Sequence, residues 1–164
     1  MLYIFSDPVG MRVVGLCLKS NPIYKNKNIQ LQMPSGRIQT PNYPSFYPPN
    51  MVCTWKITVS KGKRIKLSFE SFKLYFSVFT DNIRQCKPGP TVDYLSVKDG
   101  MKKTSSSLGI YCDYILKPAP IYSSGRHMLI SFHSASASSR VETGFRARFQ
   151  EVEKGKWNNE INLF

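Results

Sequence analysis

The chain has 164 residues, of which 41% are hydrophobic and 13% aromatic, and carries 23 Lys and Arg against 10 Asp and Glu, for a net charge of +13. This length suits one domain with a full core, and no run approaches the roughly 20 apolar residues of a membrane helix, which excludes such a transmembrane segment. The surplus charge permits a polyanion partner such as a sulfated glycan; with no RNA- or DNA-binding module visible, nucleic acid is not expected.

Residues 1–28 read as an atypical or disordered leader. The apolar stretch 11–18 is interrupted by Arg12 and preceded by Asp7. No small-residue cleavage site follows it, so it makes a poor signal peptide. Alternation begins at Ile29, with Ile29 and Leu31 between Gln30 and Gln32, and Pro34-Ser35-Gly36 is expected to turn the chain. Pro41, Pro44, Pro48 and Pro49 then stand among Tyr43, Phe46 and Tyr47. Proline fixes φ and removes a donor, so this stretch is neither helix nor central strand. Next, Cys53, Trp55, Ile57 and Val59 alternate with Thr54, Lys56 and Thr58, the period of a strand with one buried face. Residues 64–72 form a long strand with Ile65, Leu67 and Phe69 inward, and 92–97 another, closed by the turn Lys98-Asp99-Gly100. A polar loop at 101–107 precedes strands at 108–112, 120–123, 127–133 and 144–152, and 153–164 reads as a flexible tail. Short strands separated by turn signals, without a long amphipathic helix, predict an all-β antiparallel sandwich. Its core is expected to hold Trp55, Ile57, Leu67, Phe69, Leu95, Ile130, Phe132, Phe145 and Phe149.

An ordered set of short motifs sharpens this expectation. It comprises Ser35-Gly36-x-Ile38, Thr40-Pro41-Asn42-Tyr43-Pro44, Tyr47-Pro48, Cys53-x-Trp55, Ile65-x-Leu67-x-Phe69-x-x-Phe72, Asp93-Tyr94-Leu95-x-Val97-x-Asp99-Gly100, Tyr111-Cys112, Leu129-x-x-Phe132 with Ser134, and Gly144-Phe145-x-Ala147-x-Phe149. Over about residues 29–152 the chain resembles a CUB domain, an extracellular, jelly-roll-like β-sandwich module. The seven-residue interval from Cys86 to Asp93 and the long loop at 75–85 also resemble CUB modules in the stems of type II transmembrane serine proteases. The resemblance implies a secreted or extracellular setting, a fragment or isoform of a larger CUB-containing protein, and contact with an extracellular protein ligand. The alternative it implies is a small secreted protein of the spermadhesin kind that binds heparin-like or other glycans.

The 4 cysteines can pair three ways. The resemblance implies bridges between sequence neighbours. Cys86 and Cys112 match the third and fourth positions, and Cys53 the second. The first belongs near 24–27, where there is no cysteine, and Cys17 lies about eight positions earlier. Either Cys17 reaches Cys53, or Cys53 stays unpaired and packs as a small hydrophobe. Many relatives hold Ca²⁺ at one end of the sandwich with several carboxylates, as a hard cation requires. Tyr43 and Asp93 match that pattern, but Tyr75 and Ala135 replace two of its carboxylates, so no metal and no cofactor is expected.

The basic run Lys61-Gly62-Lys63-Arg64-Ile65-Lys66 offers Lys61, Lys63, Arg64 and Lys66 as candidate contacts for a sulfated glycan, with Arg64 and Lys66 directed away from Ile65 and Leu67. The loop 134–140 is small and uncharged until Arg140. His127 and His133 fall on one strand face with no acidic residue placed to orient them, and no Gly-x-Ser-x-Gly elbow occurs. No catalytic residue is assigned, and the chain is not expected to be an enzyme.

Overall fold

The computed structural model describes residues 5–6, 12–13, 17, 26–74, 86, 88–89, 92–112, 117–135 and 142–155. The expectations for Tyr75, for 136–140 and for the tail beyond 155 lie outside these residues. The strands are β1 (Phe5–Ser6), β2 (Arg12–Val13), β3 (Asn26–Gln32), β4 (Ser35–Gln39), β5 (Val52–Thr58), β6 (Lys63–Lys73), β7 (Tyr94–Asp99), β8 (Ser106–Tyr111), β9 (Ile121–Tyr122), β10 (His127–His133) and β11 (Gly144–Glu153). One sheet runs β1-β2-β4-β11-β6-β9 and the other β3-β5-β10-β7-β8. Pairing is antiparallel except between β2 and β4 and between β3 and β5.

Alternation builds the interior. On β5, Cys53, Trp55 and Ile57 are fully buried, and so are Ile65 and Leu67 on β6, Ile130 and Phe132 on β10, and Phe145 and Phe149 on β11. Each of these strands sends every second side chain to one face, so two facing sheets bury a continuous apolar layer. Trp55 meets Phe145 edge-on at 5.7 Å, and Phe145 also contacts Phe132 at 6.0 Å and Phe69 at 6.2 Å. These edge contacts join the sheets through rings from four strands, the geometry that aromatic quadrupoles favour.

The structure departs from the sequence expectation at several places. The chain bends at Met33 and Pro34, and Ser35 and Gly36, expected in the turn, already belong to β4, whose single large apolar side chain is Ile38 and which is made by pairing with β11. The β8 strand begins at Ser106, inside the expected polar loop, because its register against β7 is carried by backbone bonds. The expected leader contributes β1, β2, the start of β3 and a buried Cys17. That cysteine is bonded to Cys53, with Cα atoms 5.9 Å apart, and Cys86 is bonded to Cys112 at 5.7 Å. Cys53 is therefore not free.

Sequence separations of 36 and 26 residues give loop-closure contributions of about 4 and about 3.5 kcal/mol in the chain-entropy account. Cys17→Ser and Cys86→Ser are each expected to lower unfolding stability by that order. Denaturant midpoints measured without reductant check this, with Cys17→Ser at least as damaging as Cys86→Ser.

Candidate functional site

The proline-rich crossing 40–51 runs over one end of the sandwich and meets the segments entering β7 and leaving β10. Asp93, just before β7, is fully buried. Its Oδ2 accepts the Tyr47 hydroxyl at 2.6 Å and its Oδ1 accepts the Ala135 backbone N–H at 2.6 Å. Ser134 binds the same crossing: its hydroxyl donates to the Pro48 carbonyl at 2.8 Å and accepts the Met51 N–H at 2.9 Å. The Asn50 N–H donates to the Ala135 carbonyl at 3.2 Å. The Tyr47 ring packs edge-on against Phe132 at 5.2 Å. One buried carboxylate thus ties together three chain segments that are distant in sequence, and charge-assisted hydrogen bonds of this kind are the strong ones.

The sequence pointed to Tyr43 as the tyrosine of this end, but the residue that meets Asp93 is Tyr47. Tyr43 precedes a cis bond to Pro44, and the Arg146 guanidinium lies over its ring at 4.5 Å. The signal available was the second aromatic–proline pair, Tyr47-Pro48, whose ring is almost wholly buried. Nearby, Gly144 adopts φ 84°, and the Thr40 side chain fills the space a Cβ would need. Thr40 Oγ1 accepts the Phe145 N–H at 3.2 Å, which ties the crossing to β11.

A divalent cation at this end needs several oxygen ligands and negative charge. Asp93 supplies one carboxylate, already accepting on both oxygens, and Ala135 supplies a methyl group. No group of three His, Cys, Asp or Glu side chains forms among the described residues. The donor set on the page does not fit calcium.

The basic run divides. Lys61 is exposed beside Gly62, whose φ of 85° makes the turn. Lys63 pairs with Glu153. Arg64 and Lys66 reach the outer face of the first sheet, where both lie near the ring of Tyr122, at 4.8 and 5.8 Å. Glu151 accepts the Ser60 N–H at 3.1 Å, and hydrogen bonding from Ser60 holds its carboxyl below the ordinary carboxylate range. That tie is present at neutral pH and is lost as pH falls through the lowered value. Of the histidines, His127 Nδ1 lies 3.0 Å from the Thr58 hydroxyl and His133 stacks on Tyr94 at 5.1 Å.

The family model for the CUB domain matches residues 26–149. The chain is 36% identical over 126 residues to bone morphogenetic protein 1 of Xenopus laevis, covering 76% of this chain and 16% of that protein. It is 35% identical over 124 residues to human tolloid-like protein 2, covering 75% and 11% respectively, and 35% identical over 121 residues to human cubilin, covering 74% and 3%. It therefore spans less than a fifth of the length of these relatives. Among solved structures, the CUB1-EGF-CUB2 domain of human MASP-1/3 superposes with a TM-score of 0.59 at 31% identity, covering 73% of this chain and 42% of that one. The MASP-1 CUB2 domain bound to Ca²⁺ shares the fold, with a TM-score of 0.57 at 24% identity over 74% of this chain and 96% of that one.

Removing the carboxylate takes away an acceptor of the buried Tyr47 hydroxyl and of the buried Ala135 N–H, at roughly 1–3 kcal/mol for each. Asp93→Ala is expected to cost about 3 kcal/mol of unfolding stability and Tyr47→Phe about 1 kcal/mol. Urea titration of both variants and of the double variant checks this; the two losses should fail to add, since they share one bond.

Proposed function

The chain belongs to the CUB domain family, and on that premise we propose that it is a non-catalytic extracellular recognition module, one unit of a larger CUB-containing protein, that contacts a protein ligand without calcium. CUB domains are interaction modules of extracellular proteins, and two disulfides suit that oxidising setting. The small share of each relative's length that the chain spans supports reading it as a unit of something longer.

The observation that carries this reading is the end of the sandwich built on Asp93. Where a calcium-dependent module organises its end around a cation, this chain organises it around protein donors, the Tyr47 hydroxyl and the Ala135 N–H. The crossing so fixed presents Phe46, 49% exposed, with Asn42 donating to its carbonyl at 3.4 Å. An exposed aromatic on a crossing tied down by hydrogen bonds has the composition of an interface anchor, because it adds apolar burial on binding.

A second reading, a sulfated glycan as the partner, is supported by the net charge of +13 and by the placement of Arg64 and Lys66 on one open sheet face.

Binding of the purified domain to cultured cells separates the two. On the protein reading, protease treatment of the cells abolishes binding, heparinase does not, and a calcium chelator changes neither binding nor the thermal midpoint. Phe46→Ala then weakens binding by about tenfold, the order expected for one anchor, with the midpoint unchanged. Loss of binding with heparinase alone, together with a silent Phe46→Ala, overturns it.

A further inference from the structure

Alternation along β6 and β11 brings several cations to one face. On β11, Arg146, Arg148 and Gln150 point to the outer face of the first sheet, opposite Gln39, Arg37 and Ser35 on β4. On the other parity, Glu151 turns to the Ser60 N–H and Glu153 to Lys63 at the rim. On β6, Lys66 lies opposite Gln150 and Arg64 opposite Val152, while Ser68 faces Arg148. Arg148, Lys66 and Arg64 therefore form one diagonal stripe across two neighbouring strands, with Arg146 extending it. Six residues of β11 separate Arg146 from the position opposite Arg64, roughly 20 Å of strand rise.

Among the described residues, Glu70 pairs with Arg37 at 2.9 Å. Among the described residues no ion pair forms at Arg64, Lys66 or Arg148, and the buried Nε atoms of Arg64 and Arg148 have no hydrogen-bond partner. Arg148 stands directly opposite Arg37, a like-charge pair that disfavours the sheet. Tyr122 on β9, paired with Lys66, holds both Arg64 and Lys66 near its ring, so the cations are positioned rather than swept through solvent.

We propose that this sheet face, Arg148–Lys66–Arg64 with Tyr122, is a binding site for a linear sulfated glycosaminoglycan. The proposal rests on the glycan reading above and extends its site from Arg64 and Lys66 to Arg148 and Tyr122, leaving out Lys61 and Lys63 at the turn. Guanidinium and ammonium groups without an ion-pair partner among the described residues match oxyanions such as sulfate, and a diagonal stripe of them matches a linear chain. Disulfides place the domain where nucleic acid is scarce. Among the described residues the face carries one exposed large hydrophobic residue, Tyr122, too little apolar surface to enter a membrane.

The test is the affinity of the full chain for a size-defined heparin oligosaccharide across a salt series, with unfolding midpoints as the folding control. Removing cations that contact a polyelectrolyte lowers the slope of log affinity against log salt by about one each. Lys66→Gln with Arg148→Gln is expected to lower the slope by about two, and Lys61→Gln with Lys63→Gln to leave it within half a unit. Tyr122→Ala weakens binding several-fold and Tyr122→Phe restores it, which marks Tyr122 as a positioning residue. If Arg148→Gln unfolds, Lys66→Gln alone supplies the reading, a slope lower by about one. A slope loss in the 61/63 pair with the sheet pair silent overturns the site while leaving the glycan reading standing. No heparin binding by the unaltered chain at physiological ionic strength overturns both, and so does binding of anionic phosphatidylserine vesicles in its place.

Discussion

The contact between Trp55 and Phe145, edge-on at 5.7 Å across the two sheets, is the constraint from which the other features follow. It fixes the parity of β5 and β11 together. With Trp55 inward, Cys53 two residues earlier is also inward and fully buried, where Cys17 reaches it. With Phe145 and Phe149 inward, Arg146 and Arg148 have to face outward. A single aromatic packing decision therefore sets which face Cys53 presents to Cys17 and turns Arg146 and Arg148 outward. Truncating either ring removes the central cross-sheet contact, and changes of that kind typically cost 3–5 kcal/mol.

The same alternation places the arginines of β11 on the outer face. Acidic and basic residues follow one another along β11, yet they separate in space, with glutamates at the rim beside Ser60 and Lys63 and arginines across the sheet. The Asp93 end uses the opposite device: one buried charge surrounded by donors, worth its desolvation because both oxygens are satisfied. The first arrangement leaves a surface that attracts anions at a distance. The second ties down an end from which Phe46 is exposed. Both suit a module that recognises rather than transforms.

Much of this was legible in the chain. The strand at 127–133 carries its own period, Met128, Ile130 and Phe132 inward, and its bounds are those expected. Trp55, Leu67 and Phe149 declare their burial because each sits on a long alternating strand. What stayed hidden depends on partners distant in sequence. The β4 strand has one large apolar residue, so its strand character comes from pairing with β11. Tyr43 and Tyr47 are both followed by proline, and only the path of the crossing decides which phenol meets Asp93. Arg64 and Lys66 were visible as a local run, but Tyr122 and Arg148 join them through register, which no local spacing reveals. Cys17 lies too far upstream for a family-like spacing, and the chain between it and β3 is long enough to absorb the difference.

The most direct test of the account is a disulfide map, by peptide mass spectrometry under non-reducing conditions, of the chain made in a secretory pathway. The account predicts Cys17–Cys53 and Cys86–Cys112 linked peptides and no free thiol. A free Cys17 contradicts it, because the bond from the first segment of the chain to β5 is then absent, and Cys53 joined to Cys86 or Cys112 contradicts it, because the two bonded pairs are then different ones.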